Sequence, residues 1–293
     1  MTTTIYEIST EVPTLDDLRS SPDLLAISMA SYATSAEGPL TQIPSSVCYL
    51  PFSAIIPTSK LCNIASQISS DSKPPCRYTF LRHNILKKRF NPESHLGQIE
   101  FNFDTSNYSS HFTPEPGKKY ATMMQMLQYP FSVGSIHIPA STTKTTIQAR
   151  PVIDPKYYQG DDGEIDFLTM VESQVFSHKI TTTAPLSSMI VKRVFPPLPE
   201  KGKEDDLHEY VRNYTTTDWH PIGTCAMGPL PEEGGVGGVV DSRLRVHGIN
   251  RLRVIDASIM PLHVSAHIQA TVYAIAEKGA SLILEDYDAI SKG

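Results

Sequence analysis

W-H-P-I-G-T-C-A-M-G at residues 219–228, R-L-R-V-I-D-A-S-I-M-P at 251–261 and H-I-Q-A-T-V-Y-A-I-A-E-K-G-A at 267–280 decide how this chain is read. Two histidines, His220 and His267, bracket the stretch. His220 precedes Pro221, which holds its backbone out of the helical region. Leu252 to Ile255 is an apolar run that reads as a strand ending in Asp256. Ligands of α/β sheets gather at the carboxyl ends of strands. Asp256 is therefore placed either to touch a cofactor's polar spine or to cap the turn that follows. Pro261 closes that turn, and a long helix is expected next with Ser265 as its N-cap. Ile268, Val272, Ile275, Leu282 and Ile283 form its apolar stripe, and Gly279 permits close approach. His267 then falls in the first helical turn, where free N–H groups and the dipole favour an anion and a neutral imidazole. Either histidine alone suits a structural role. The two together in one compact segment point to acid–base chemistry.

Between these segments, Val239 to Asp241 and Arg243 to Val246 read as short strands. The turn His247-Gly248-Ile249-Asn250 carries residues that tolerate positive φ. Asp205 to Arg212 reads as a helix leading into the quoted stretch. A proline- and lysine-rich loop over 195–206 precedes it. Further upstream, Asp161, Asp162, Glu164 and Asp166 open a helix whose apolar face is expected at Leu168, Val171 and Val175. Residues 119–150 read as consecutive strands: Ala121 to Tyr129, Gly134 to Ile138, and T-T-K-T-T-I-Q-A at 142–149. Met123, Met124 and Met126 suit a core or an adaptable pocket wall. His137 reads as structural or exposed.

Nearer the N-terminus, Ile99 to Phe103 alternates and suits a strand, and Tyr78 to Leu81 is a short apolar island. Arg82, His83, Lys87, Lys88 and Arg89 read as a solvated basic face. Residues 45–57 suit a buried strand, complicated by Pro51. The first forty residues read as an extended lead-in and then a helix. Thr14 is its N-cap, Asp16 and Asp17 lie in its first turn, and Ser20-Ser21-Pro22 splits it in two.

Composition is that of an ordinary soluble protein: 293 residues, 40% hydrophobic, 19% charged, net charge −6. The absence of a basic run argues against nucleic acid as a partner. No apolar stretch approaches the roughly 20 residues of a membrane span. The N-terminus lacks the pattern of a signal peptide, so a cytoplasmic location is expected. Cys48, Cys62, Cys76 and Cys225 fit neither a zinc site nor a disulfide scaffold. Free thiols are expected, with a bridge among the first three left open, and no metal site is expected.

The three quoted segments, in this order and spacing, resemble the C-terminal signature of the glucose–methanol–choline (GMC) oxidoreductases. P-T-L-D-D-L-R at 13–19, E-G-P-L-T at 37–41 and P-V-I-D-P-K-Y-Y at 151–158 are similar to the family's substrate-binding part. The resemblance is weak across 58–118. It implies an α+β fold. Residues 1–214 would form a substrate-binding lobe, a mostly antiparallel sheet with flanking helices. Residues 215–293 would be a remnant of the FAD-binding α/β domain. It further implies that His220 takes the proton of a substrate hydroxyl, that His267 holds the substrate oxygen or assists, and that Trp219, Asp256, Ala257 and Gln269 lie along FAD.

The family's strand, G-x-G-x-x-G and helix are not found in this sequence. The glycines of 234–238 precede a strand instead of following one. The resemblance therefore implies a C-terminal half that is completed by a separate FAD-binding polypeptide, forms a homo-oligomer, or has reshaped itself. Three functions stay open. The chain could oxidise a small-molecule alcohol by hydride transfer to FAD. It could be a flavin-independent acid–base enzyme of secondary metabolism, a cyclase, lyase or isomerase. It could be a non-catalytic binding protein.

Overall fold

The computed structural model describes residues 1–41, 45–68, 77–139, 149–160, 162–198, 205–230 and 237–291. The strand expected over 142–149 falls almost wholly outside them. So do Cys76, Asp161, the centre of the 195–206 loop and the glycine stretch at 234–236.

In chain order the elements are β1 (Thr2–Ile8), α1 (Leu15–Ser20), α2 (Pro22–Ser35), β2 (Ser45–Leu50), α3 (Phe52–Ile55), α4 (Thr58–Ser66), α5 (Arg77–Arg89), β3 (Ile99–Asp104), β4 (Lys119–Leu127), β5 (Ser135–His137), β6 (Val152–Asp154), α6 (Gly163–Thr181), β7 (Ile190–Phe195), α7 (Asp205–Tyr214) and α8 (Gln269–Ser291). They gather into two compact units. The first holds residues 1–57, 97–127 and 167–216, the second 58–96, 128–166 and 217–293. Segments 58–96 and 128–166 cluster with the C-terminal segment.

The first unit is built on a five-stranded sheet of order β2-β3-β4-β1-β7, antiparallel throughout among the described residues. The β-branched run Thr2-Thr3-Thr4-Ile5 suits a pleated, doubly covered strand. β1 accordingly lies inside the sheet, with Thr2, Thr4, Ile5 and Tyr6 fully buried. Met123 and Met126 of β4 join the core. Thr14 caps α1 through a full capping box with Asp17, and Ser21 with Pro22 starts α2 anew. The buried strand expected over 45–57 is corrected: β2 is a sheet edge that stops at Leu50, and Pro51 opens α3.

The apolar face expected on α6 is corrected in part: Val171 is buried, beside Phe167 and Met170, and Leu168 is half-buried. Val175 is exposed, while Thr169, Ser173, Gln174, Ser177 and Thr181 are buried. Gln174 explains the inversion. Its amide donates to Gln125 Oε1 and Thr2 Oγ1, and its carbonyl accepts from Thr4 Oγ1 and Arg193. A buried polar face with its partners supplied is tolerated, and it leaves no hydrophobic stripe to read beyond Val171.

In the second unit, the apolar island Tyr78 to Leu81 belongs to α5. The solvated basic face is corrected in part: Lys88 is exposed, but Arg82, His83 and Arg89 are engaged with protein groups. β5 and β6 form a two-stranded ladder, and His137 is exposed. Val240, Leu244, Ile259 and Leu282 form the core of the C-terminal segment.

No described residue between 239 and 256 belongs to a named strand. Only bridges such as Val240 with Val246 and Arg245 with Arg253 join this segment. The physical reason lies at Leu244 (φ 63°), Gly248 (φ 74°) and Arg251 (φ 62°), which bend the chain every few residues. No helix of the described residues is long and apolar enough to cross a membrane.

Candidate active site

Every element of this site lies within the second unit. His220 sits in a loop that follows α7, one residue after Trp219, whose φ of 55° turns the chain sharply. The Trp219 N–H donates to Thr217 Oγ1 at 3.0 Å. The Asp218 carboxylate lies 3.1 Å from His220 Nδ1. With Nδ1–H donating to that carboxylate, the tautomer leaves a lone pair on Nε2, the form that accepts a proton.

His267 approaches from the other end of the segment. The expectation that it occupies the first turn of the last helix is corrected. α8 begins at Gln269, and the Val272 N–H donates to the Ile268 carbonyl as its opening bond. His267 precedes the helix, and Ser265 is not its cap. The Ser265 hydroxyl instead meets the Tyr129 hydroxyl at 2.7 Å. Even so, the two imidazoles come together. Their ring centroids are 6.1 Å apart and their planes differ by 8°. Both residues are exposed, so a substrate can reach them from solvent.

Of the other expected site residues, Trp219 and Gln269 lie beside the histidines in sequence. Trp219 is 74% exposed and offers an open indole face. Gln269 is exposed at the start of α8. Asp256 caps a short 3₁₀ turn, Ala257–Ile259, and accepts from the Ser258 N–H at 2.8 Å. Ala257 is half-buried in that turn. No cluster of residues able to hold a metal ion occurs among the described residues. Cys48, Cys62 and Cys225 are free thiols.

Sequence reading missed the residues that hold this site in place. Asp218 could have been found from its position two residues before a candidate base. The segment Tyr129–Ser132 carries no such signal. Arg82 donates to the carbonyls of Pro130 and Phe131 at 2.7 and 3.1 Å. Asp166 accepts from the N–H groups of Phe131 and Ser132 at 2.8 and 2.7 Å. Burial pushes the Asp166 carboxyl up to about 6, against the pull of these hydrogen bonds and of Arg82.

Comparison with known proteins points the same way. The family model described as GMC oxidoreductase matches residues 130–276. A dehydrogenase of Monascus purpureus is 27% identical over 98% of this chain and 46% of its own length. A GMC oxidoreductase family protein of Malassezia sympodialis is 36% identical over 71% of this chain and 29% of its own. An FAD-dependent oxidoreductase structure from Chaetomium thermophilum superposes with a TM-score of 0.72 at 22% identity, over 98% of this chain and 47% of that one. The chain thus spans about half the length of the relatives that it matches from end to end.

Proposed function

This chain belongs to the GMC oxidoreductase family, and on that premise we propose that its paired histidines form the acid–base centre for oxidising a small-molecule alcohol with FAD. The observation that carries the reading is the stacking of His220 and His267, 6.1 Å apart on an open face. The residues around them fit one side of a flavin. Trp219 offers a planar, exposed surface, and Gln269 an exposed amide. Trp219, Asp256, Ala257 and Gln269 would hold the cofactor, and bound FAD supplies a hydride acceptor.

The protein's own part is proton handling. Asp218 orients His220 so that Nε2 takes the hydroxyl proton as the carbon–hydrogen bond breaks. His267 donates a hydrogen bond to the same substrate oxygen and fixes its distance from the base. The two groups together decide which hydroxyl reacts.

The test uses the protein loaded with flavin, alone or co-expressed with an FAD-binding partner half, mixed anaerobically with a panel of alcohols while the flavin absorbance is followed. A substrate bleaches the wild type, and His220→Ala slows the bleaching by about 10²- to 10⁴-fold, the usual worth of a general base. Bleaching of that variant at the wild-type rate removes His220 from the reaction. Substrate turnover by flavin-free protein would replace the redox reading with acid–base chemistry alone.

A further inference from the structure

We infer that Tyr129 is the positioning residue that holds His267 against His220, an inference that rests on the reading of this pair as the acid–base centre. The chain from Pro261 to Ile268 contains no regular element, so the place of His267 depends on side-chain ties. The tie at hand is the hydrogen bond between the Tyr129 and Ser265 hydroxyls, two residues before His267. The tyrosine end of that tie is itself fixed. Its ring is buried, and the Arg89 guanidinium lies 3.5 Å from the ring centroid. The next three residues are pinned through their backbone, the carbonyls of Pro130 and Phe131 by Arg82 and the N–H groups of Phe131 and Ser132 by Asp166.

A buried aromatic ring on a pinned segment therefore reaches an irregular loop through one polar atom. Geometry of this kind matters because a misplacement of about 1 Å at a reacting group can cost on the order of 100-fold in rate. Tyr129 need not touch substrate or cofactor to have this effect. It acts through Ser265 and the backbone that carries the imidazole.

Tyr129→Phe removes the hydroxyl and keeps the ring under Arg89, and Ser265→Ala removes the other half of the bond. Both are made in the flavin-loaded protein with ¹⁵N-labelled histidine. Each single variant is expected to move the ring signals of His267 and to lower kcat about tenfold with KM unchanged. The double variant should be no worse than either single one. Unmoved His267 signals in both single variants, or losses that multiply in the double variant, overturn the assignment. Should Tyr129→Phe fail to fold, Ser265→Ala alone decides by the same signals. His220→Ala, run in parallel, separates the two readings. Wild-type turnover in that variant removes the acid–base centre, while the ring signals still judge the tie. An inactive His220→Ala beside unmoved signals removes the tie alone.

Discussion

At the scale of single residues, the site is set by what its two imidazoles are bonded to. The carboxylate of Asp218 holds Nδ1 of His220 and so sets the orientation of its ring. The pair is exposed, so its worth is smaller than that of a buried catalytic dyad. Asp218→Ala should lower kcat by about tenfold without changing KM, because orientation matters only as the proton moves. An unchanged kcat would show that His220 is oriented by something else. Asp166 makes a different prediction. Its folded pKa, about 6, lies above the ordinary 3.8 because the carboxyl is buried. The folded protein therefore keeps the proton where the unfolded chain releases it. The stability gained is full below the lower value and lost as pH rises through the higher one. Between about pH 4 and 6 the wild type should lose on the order of 3 kcal/mol from this group. Asp166→Asn should lack that decline in denaturant titrations. Parallel pH dependences in the two proteins would refute the assignment.

At the scale of elements, α8 shows how one glycine sets a packing distance. A Cβ on Gly279 would lie 2.4 Å from Ile255 Cγ2, far inside contact. Gly279→Ala should cost about 1–3 kcal/mol by overpacking, measured by chemical unfolding. Ile255→Ala should restore part of that loss in the double variant, since the clash is with this side chain. Independent, additive losses would argue against it. Gly279 was legible because it interrupts an apolar stripe, as Thr14 was legible from the acids that follow it in the first turn of α1. α6 was not legible in the same way. Beyond Val171 most of its buried side chains are amide and hydroxyl groups, and their burial depends on β1 and β4, which are distant in sequence. The start of α8 was misread for a related reason. Ser265 looks like a cap, but its hydroxyl is taken by Tyr129, 136 residues away.

At the scale of the whole molecule, the family and the antiparallel sheet could be read from motifs and alternation. The interleaving of the two units could not, because nothing local announces that 58–96 and 128–166 cluster with the C-terminal segment. The distribution of apolar surface carries the last prediction. One side of α8 packs against its neighbours through Ile275, Gly279 and Leu282, while Tyr273, Ile283, Leu284 and Tyr287 stand exposed. These four fall at helical spacing on the outward side. A helix apolar on both sides is the kind found inside a larger core, and a row of this kind in water favours association. The isolated chain should therefore self-associate as its concentration rises and bind an apolar dye. Ile283→Lys combined with Leu284→Lys should abolish both effects, as light scattering and dye fluorescence would show. The unfolding free energy should change by no more than about 0.5 kcal/mol, because both side chains already face solvent. A wild-type chain that stays monomeric and dye-free at high concentration would show that water tolerates this row, and that α8 needs no cover beyond the core it already has.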